Sequence, residues 1–147
     1  MPAAHALIQT LEDVEAAVEG LSIDQLWMTP GGAASIGFHL MHLSGSTDRL
    51  LTYARGERLN DEQKAAAAAE RDPERVEAAG LLAALRRTFD AALAQVRSTP
   101  ASSLLDARAI GRAGLPSTVL GLLFHAAEHS QRHAGQVVTT AKVVRSA

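Results

Sequence analysis

Histidine is the residue type whose spacing in this chain points most directly to chemistry. Six histidines occur, and five of them lie in two short stretches, at positions 39 and 42 and at positions 125, 129 and 133. Residues three or four apart lie on the same face of a helix, about one turn from each other. Neutral imidazole nitrogens bind zinc, nickel, copper and iron. The pattern therefore predicts a metal site built from two helices.

A helical wheel ranks these histidines by how far each one faces the core. At about 100° per residue, His133 falls inside the apolar sector of its helix, His129 lies slightly further out and His125 lies furthest away. On the earlier helix, His39 lies closer to the apolar stripe, whereas His42 lies on its flank. The residues alone favour His129 and His133 as an inward pair, and lean slightly towards His39 as the third ligand. Ordinary packing of all five histidines is the alternative.

One motif in the same region suggests a different chemistry. Residues 125–129 read His-Ala-Ala-Glu-His, the H-x-x-E-H pattern of inverted zinc metallopeptidases. That pattern needs an acidic ligand far downstream, and only 18 residues follow His129. Glu128 also lies about 100° from His129 on the wheel. We therefore do not expect a metallopeptidase.

Four amphipathic helices are predicted to position the histidines. Their apolar residues recur at spacings of three and four, the period of a helix with one buried face. The predicted helices span about residues 5–20, 33–55, 73–97 and 116–144, with a turn of helix near 22–28. In the second helix the apolar stripe consists of Ile36, Leu40, Leu43, Thr47, Leu50 and Ala54.

The connection between the second and third helices is long enough to cross the whole bundle. It covers residues 56–72 and includes an alanine run at 65–69, which we expect to be a short helix. The chain is therefore predicted to be an all-α four-helix bundle with a long crossover between helices 2 and 3. No strand is predicted, although residues 104–110 could be extended.

Composition narrows the class of protein. A length of 147 residues suits one domain, expected to span 1–147. A net charge of −2 argues against nucleic-acid binding, and no apolar stretch reaches the roughly 20 residues of a membrane span. The N-terminus lacks the features of a signal peptide, so a cytoplasmic protein is expected. The excess of alanine, and of arginine over lysine, is typical of GC-rich bacterial genomes.

Two stretches of the chain resemble a known family. Residues 35–51, SIGFHLMHLSGSTDRLL, resemble the second helix of DinB-like proteins, and residues 129–137, HSQRHAGQV, resemble the fourth-helix signature of that superfamily. The resemblance covers essentially the whole chain. It implies a four-helix bundle, often dimeric, with a divalent metal held by three histidines. By position, the ligands would be His42, His129 and His133, with His39 and His125 as neighbours or packing residues.

The resemblance also implies a reaction on a small molecule. The superfamily includes bacillithiol- and mycothiol-dependent S-transferases, in which an activated low-molecular-weight thiol attacks an electrophile. Because this chain contains no cysteine, the thiol would arrive as a co-substrate beside a divalent ion, Zn or Ni, in a protein expected to be a homodimer. A metal-dependent hydrolase, a non-catalytic metal-binding bundle related to stress and a metal-free helical dimer are the alternatives.

No residue is assigned a catalytic role from the sequence. Glu128, Asp48 and Gln136 are candidates for orienting the ligands or acting as a general base, and Gln136 lies one turn beyond His133. For Glu128 and Asp48, solvated or interhelical polar contacts are the more expected role.

Overall fold

Four long helices form the body of the molecule. The computed structural model describes residues 1–146. The long helices are α1 (Pro2–Val18), α3 (Ile36–Ala54), α5 (Ala78–Ser98) and α6 (Val119–Arg145). The connections contain the short helices α2 (Ile23–Trp27) and α4 (Asp61–Ala69), and the strands β1 (Ala107–Ile110) and β2 (Leu115–Thr118). The predicted helical bundle is confirmed.

The core lies between the long helices and is built from the predicted apolar stripes. All six members of the α3 stripe are buried. Phe89 of α5 and Leu122 of α6 are almost completely buried as well. Burial of one large apolar side chain contributes roughly 1.5–3 kcal/mol, so this shared core fixes α3 against α6.

The directions of the helices follow from contacts near their ends. Gln95, near the end of α5, donates a hydrogen bond to the Leu51 carbonyl near the end of α3. Trp27, which precedes α3, donates from its indole nitrogen to the Val76 carbonyl just before α5. Helices α3 and α5 are therefore parallel, and the chain between them returns along the bundle. The predicted long crossover is confirmed.

Helix α4 lies within that crossover and is held to the bundle by polar contacts. It begins with a capping box between Asn60 and Gln63, and none of its residues is buried. The Gln63 side-chain amide also donates to Asp48 Oδ2 at 2.7 Å and to Thr52 Oγ1 at 2.8 Å on α3. The alanine run is helical, as predicted, but its side chains are not part of the core.

The expectation of no strand was wrong for one short segment. Strands β1 and β2 pair antiparallel, with Arg108 opposite Ser117. The turn between them contains Gly111 and Gly114, both with positive φ values that favour glycine. Each strand has only four residues and no clear apolar alternation, which is why periodicity did not identify the hairpin.

Two predicted helix starts were a few residues too early. Helix α6 begins at Val119 rather than near Pro116, because Pro116 lies in β2, opposite Ala109. Helix α5 begins at Ala78 rather than near Pro73, since Glu77 is extended. The hydrogen bond from Trp27 to the Val76 carbonyl fixes the chain just before that point.

Candidate metal centre

Local capping interactions define where the two histidine-bearing helices begin. Ser35 Oγ accepts a hydrogen bond from the Phe38 backbone N–H at 3.1 Å, which starts α3 and places His39 and His42 in its first two turns. Thr118 Oγ1 caps α6 in the same way, through the N–H of Gly121. Helices α3 and α6 pack antiparallel, since His39 contacts His133 whereas Thr47, further along α3, contacts the earlier Ser130. The first half of α3 therefore meets the middle of α6.

Three histidines converge at this contact. The Nε2 atoms of His42 and His129 lie 3.0 Å apart. One ligand nitrogen from each of His42, His129 and His133 lies within 4.8 Å of the other two. No other group of three potential ligands in residues 1–146 meets this distance. The structure therefore brings together the three residues that the resemblance implied.

His39 and His125 lie beside the cluster in different ways. His39 is buried, and its Nδ1 lies 2.9 Å from Nδ1 of His133, so one of these nitrogens donates to the other. The wheel was right that His39 is the more interior histidine of α3, and the more exposed His42 faces the cluster. His125 is half-buried and bonds to Glu128 at 2.7 Å. Both are neighbours of the three-histidine cluster.

The surroundings favour the neutral form of three of these histidines, His39, His129 and His133. Burial, and after it the neighbouring His129, His42 and His39, together lower the pKa of His133 to about 4. Burial and the charge of His42 lower the pKa of His39 and of His129 below the ordinary value. A metal ion requires a free imidazole lone pair, so these residues are in the binding form at neutral pH.

Sequence reasoning missed the carboxylate that contacts the cluster. Glu70, at the end of α4, accepts a hydrogen bond from His42 Nδ1 at 2.7 Å and another from Arg49 Nη1 at 2.7 Å. Burial raises the pKa of Glu70, but the bonds from His42 and Arg49 outweigh it and hold the pKa below its usual range. Glu70 lies 28 residues from His42 in the chain, and no helical spacing connects the two.

The three polar residues chosen from the sequence have other partners or positions. Glu128 bonds to His125 and Arg132 on the same helix. Asp48 accepts from Gln63. Gln136 lines an open depression beside His39. The carboxylate that bonds to a histidine of the cluster comes instead from the crossover.

The donor set fits a divalent cation. Metal–nitrogen distances of about 2.0–2.1 Å place two coordinating nitrogens about 3 Å apart, the separation found between His42 Nε2 and His129 Nε2. The Glu70 bond to His42 Nδ1 leaves Nε2 free to face the cluster, the usual arrangement of a histidine ligand supported by a carboxylate.

An open depression of about 610 Å³ lies against the cluster. His42 and Glu70 form part of its wall, and Phe38, Ala67 and Pro73 supply apolar surface. A small molecule in this depression would lie next to the three-histidine cluster.

Comparisons with known proteins identify the family. No curated protein matches the chain. Among solved structures, a similar one is YfiT from Bacillus subtilis, described as a probable metal-dependent hydrolase with an unusual four-helix bundle topology. The TM-score is 0.72 at 17% sequence identity, over 96% of this chain and 85% of that one, which shows a shared fold. None of the helices in residues 1–146 contains an apolar stretch of the length that spanning a membrane requires. A family model described as the DinB superfamily matches residues 6–137, and the chain therefore belongs to the DinB superfamily.

Proposed function

We propose that this chain is a divalent-metal-dependent enzyme that transfers a low-molecular-weight thiol to a small electrophile. The observation that carries the proposal is the convergence of three histidine side chains beside an open depression. In this proposal His42, His129 and His133 hold the ion, with zinc or nickel as the expected metals. A divalent ion held in this way lowers the pKa of a bound thiol or water.

The hydrogen bonds of the nearby carboxylates favour a thiol over water as the nucleophile. Glu70 is engaged by His42 and Arg49, and Glu128 by His125 and Arg132. Neither carboxylate is free to take a proton from water, whose pKa in the absence of a metal is far above that of a thiol. A thiol ionises near 8.5 and needs less help from a general base. Since the chain has no cysteine, the thiol enters as a co-substrate.

The depression beside His42 supports binding of a small electrophile with an apolar body. Phe38 stacks on His42, with the ring centroids 5.5 Å apart, and lines the wall of the depression. Arg71 is exposed and also lines it. An aromatic wall with a cation at the rim suits a compact apolar molecule that carries a negative group.

A metal-dependent hydrolase is the second candidate. It is favoured by the shared fold with YfiT, which is described as a probable metal-dependent hydrolase. In that case the same three histidines hold the ion, and water replaces the thiol. A bundle that binds metal without turnover is a third possible outcome, which metal content and turnover together distinguish from the two enzymes.

Metal content and turnover test the proposal together. Elemental analysis of freshly purified protein is expected to give about one divalent ion per chain, strongly reduced in His42→Ala and His133→Ala. His5→Ala, which removes an exposed histidine of α1, is the matched control and keeps the ion. A wild-type protein without bound metal, or equal metal content in all variants, contradicts the proposal.

Turnover is measured with zinc-loaded and nickel-loaded wild-type protein. We expect metal-dependent consumption of bacillithiol, mycothiol or glutathione with electrophiles such as 1-chloro-2,4-dinitrobenzene. Ester and amide substrates, added without thiol, test the hydrolase. Hydrolysis alone would replace the first candidate by the second, and tight metal binding without any turnover would indicate a non-catalytic bundle.

We also propose that the protein is a homodimer in the bacterial cytoplasm. Exposed apolar side chains at the start of α6, Leu120 and Phe124, support self-association. Light scattering coupled to size-exclusion chromatography is expected to give the mass of two chains. The mass of a single chain at micromolar concentration would contradict the dimer.

A further inference from the structure

Glycine at position 45 creates room for the Glu70 carboxylate on the surface of α3. His42, Gly45 and Arg49 are three and four residues apart, so they lie on one face of the helix. A Cβ atom at Gly45 would lie 2.5 Å from Glu70 Oε1 and 2.7 Å from Arg49 Nη1, closer than real Cβ contacts allow. Glycine is a poor residue for a helix interior, and here its missing side chain leaves the space that the carboxylate occupies.

Both oxygens of this carboxylate are committed. Oε1 accepts from Arg49 Nη1 at 2.7 Å, and Oε2 accepts from His42 Nδ1 at 2.7 Å and from Arg49 Nη2 at 3.4 Å. The side chains are well covered, with 10% of Glu70 and 16% of Arg49 exposed. Because Oε2 accepts from Nδ1, the hydrogen of His42 is on Nδ1, and Nε2 presents its lone pair to His129.

We propose that Glu70 is a positioning residue that fixes both the tautomer and the direction of the His42 ring, and that Arg49 and Gly45 fix Glu70. The inference rests on the proposed function for the identity of His42 as a metal ligand. Glu70 acts through His42. Since α4 has no buried residue, this partly buried ion pair also ties the end of the crossover to the metal centre.

Zinc affinity of the purified protein tests the role of Glu70. Competition with a chromophoric chelator is expected to show a dissociation constant raised about 10- to 100-fold in Glu70→Gln and Glu70→Leu. Glu70→Leu is expected to have the larger effect, since glutamine retains an acceptor oxygen. Glu62→Gln, an exposed glutamate of the same helix, is the control and stays within twofold of wild type.

Gly45→Ala tests the space without removing a hydrogen-bonding group. Its methyl group displaces the ends of two flexible side chains, so the helix remains folded while the carboxylate moves away from His42. We expect zinc affinity to fall about 10-fold or more. Gly80→Ala is the matched substitution in α5, where a Cβ meets only the side chain of the exposed Val76, and we expect no change.

The tautomer of His42 supplies a readout that a merely structural role would not move. In metal-free protein, long-range ¹H–¹⁵N spectra are expected to show the His42 hydrogen on Nδ1 in wild type and on Nε2, or on both nitrogens, in Glu70→Leu. A hydrogen on Nε2 in wild type, or an unchanged tautomer in the variant, overturns the inference.

The outcomes for this inference and for the proposed function are separable. Zinc affinity that is equal in wild type, Glu70→Leu and Gly45→Ala, but lost in His42→Ala, overturns the positioning role and leaves the metal centre standing. Absence of zinc binding in wild type overturns the proposed function, and the tautomer in the metal-free protein then decides whether Glu70 orients the ring.

Discussion

Two triplets of side chains in this molecule contain the same residue types but differ in their position in the fold and in their burial. Each consists of a glutamate that accepts hydrogen bonds from one histidine and one arginine. The crossover triplet is His42, Arg49 and Glu70, and the surface triplet is His125, Glu128 and Arg132. The surface triplet lies on one helix at spacings of three and four, whereas the crossover triplet joins α3 to the end of α4.

Burial separates the two groups. Glu70 is 10% exposed, and Glu128 is 30% exposed. The arginine partners differ more, at 16% for Arg49 and 60% for Arg132. Exposed ion pairs along a helix contribute only about 0.3–0.5 kcal/mol to stability. Removal of one partner from a partly buried pair costs much more, because the other partner is left without a hydrogen bond. Position in the fold, and not residue type, therefore decides which triplet can support the metal centre.

The largest difference is expected when the histidine of each triplet is removed. His42→Ala should weaken zinc binding about 100-fold or more, because one of three ligands is lost. The zinc affinity of His125→Ala should stay within about threefold of wild type, since the His125 ring bonds to Glu128 outside the cluster. Isothermal titration with zinc measures both. Similar losses in the two variants would mean that His125 is part of the centre.

A smaller but clear difference is expected in the free energy of unfolding without metal. Glu70→Ala leaves two largely buried donors without their acceptor, at a cost of about 1–3 kcal/mol, whereas Glu128→Ala should cost no more than about 0.5 kcal/mol. Urea unfolding in the presence of EDTA measures both values. Equal losses would show that burial does not distinguish the triplets.

The sequence predicted the parts of the structure that depend on local periodicity. The stripe from Ile36 to Ala54 is buried as expected, and His39 is the more interior histidine of its helix. The same logic drew attention to Glu128, because it lies one turn from His125 and one residue from His129. Spacing along a helix identifies neighbours on that helix.

Glu70 could not be found in this way. Its position depends on where a solvent-exposed crossover helix docks, which is set by long-range contacts of Gln63 with Asp48 and Thr52. The one local signal was Gly45 in the middle of a helix, where glycine is unfavourable. An interior helical glycine between a histidine and an arginine indicates a close approach, but it does not name the residue that approaches.

Acidification should lower the free energy of unfolding of the metal-free protein through His133, a member of the cluster that the crossover triplet supports. Burial and neighbouring histidines lower the pKa of His133 from 6.5 to about 4. Between these values the unfolded chain binds more protons than the native one, so the free energy of unfolding falls as the pH is lowered through this window. Urea unfolding from pH 7 to 4 should show a shallower fall in the free energy of unfolding for His133→Gln than for His5→Gln, which removes an exposed histidine. Equal slopes of the free energy of unfolding against pH would mean that His133 does not contribute to the loss of stability in acid.

The smallest effect is expected when salt is added. It tests whether the ion pairs of the two triplets depend in the same way on attraction through solvent. A double-mutant cycle of Glu128→Ala with Arg132→Ala should give a coupling of about 0.5 kcal/mol or less, and it should largely vanish in 1 M NaCl, where the Debye length is about 3 Å. The cycle of Glu70→Ala with Arg49→Ala should retain most of its coupling, since covered charges are screened much less. If both couplings vanished together, the crossover carboxylate would be solvated like the surface one and would hold His42 only weakly. A coupling that survives in salt for Glu70 alone would mean that the covered contact, rather than attraction through solvent, keeps the carboxylate on α3.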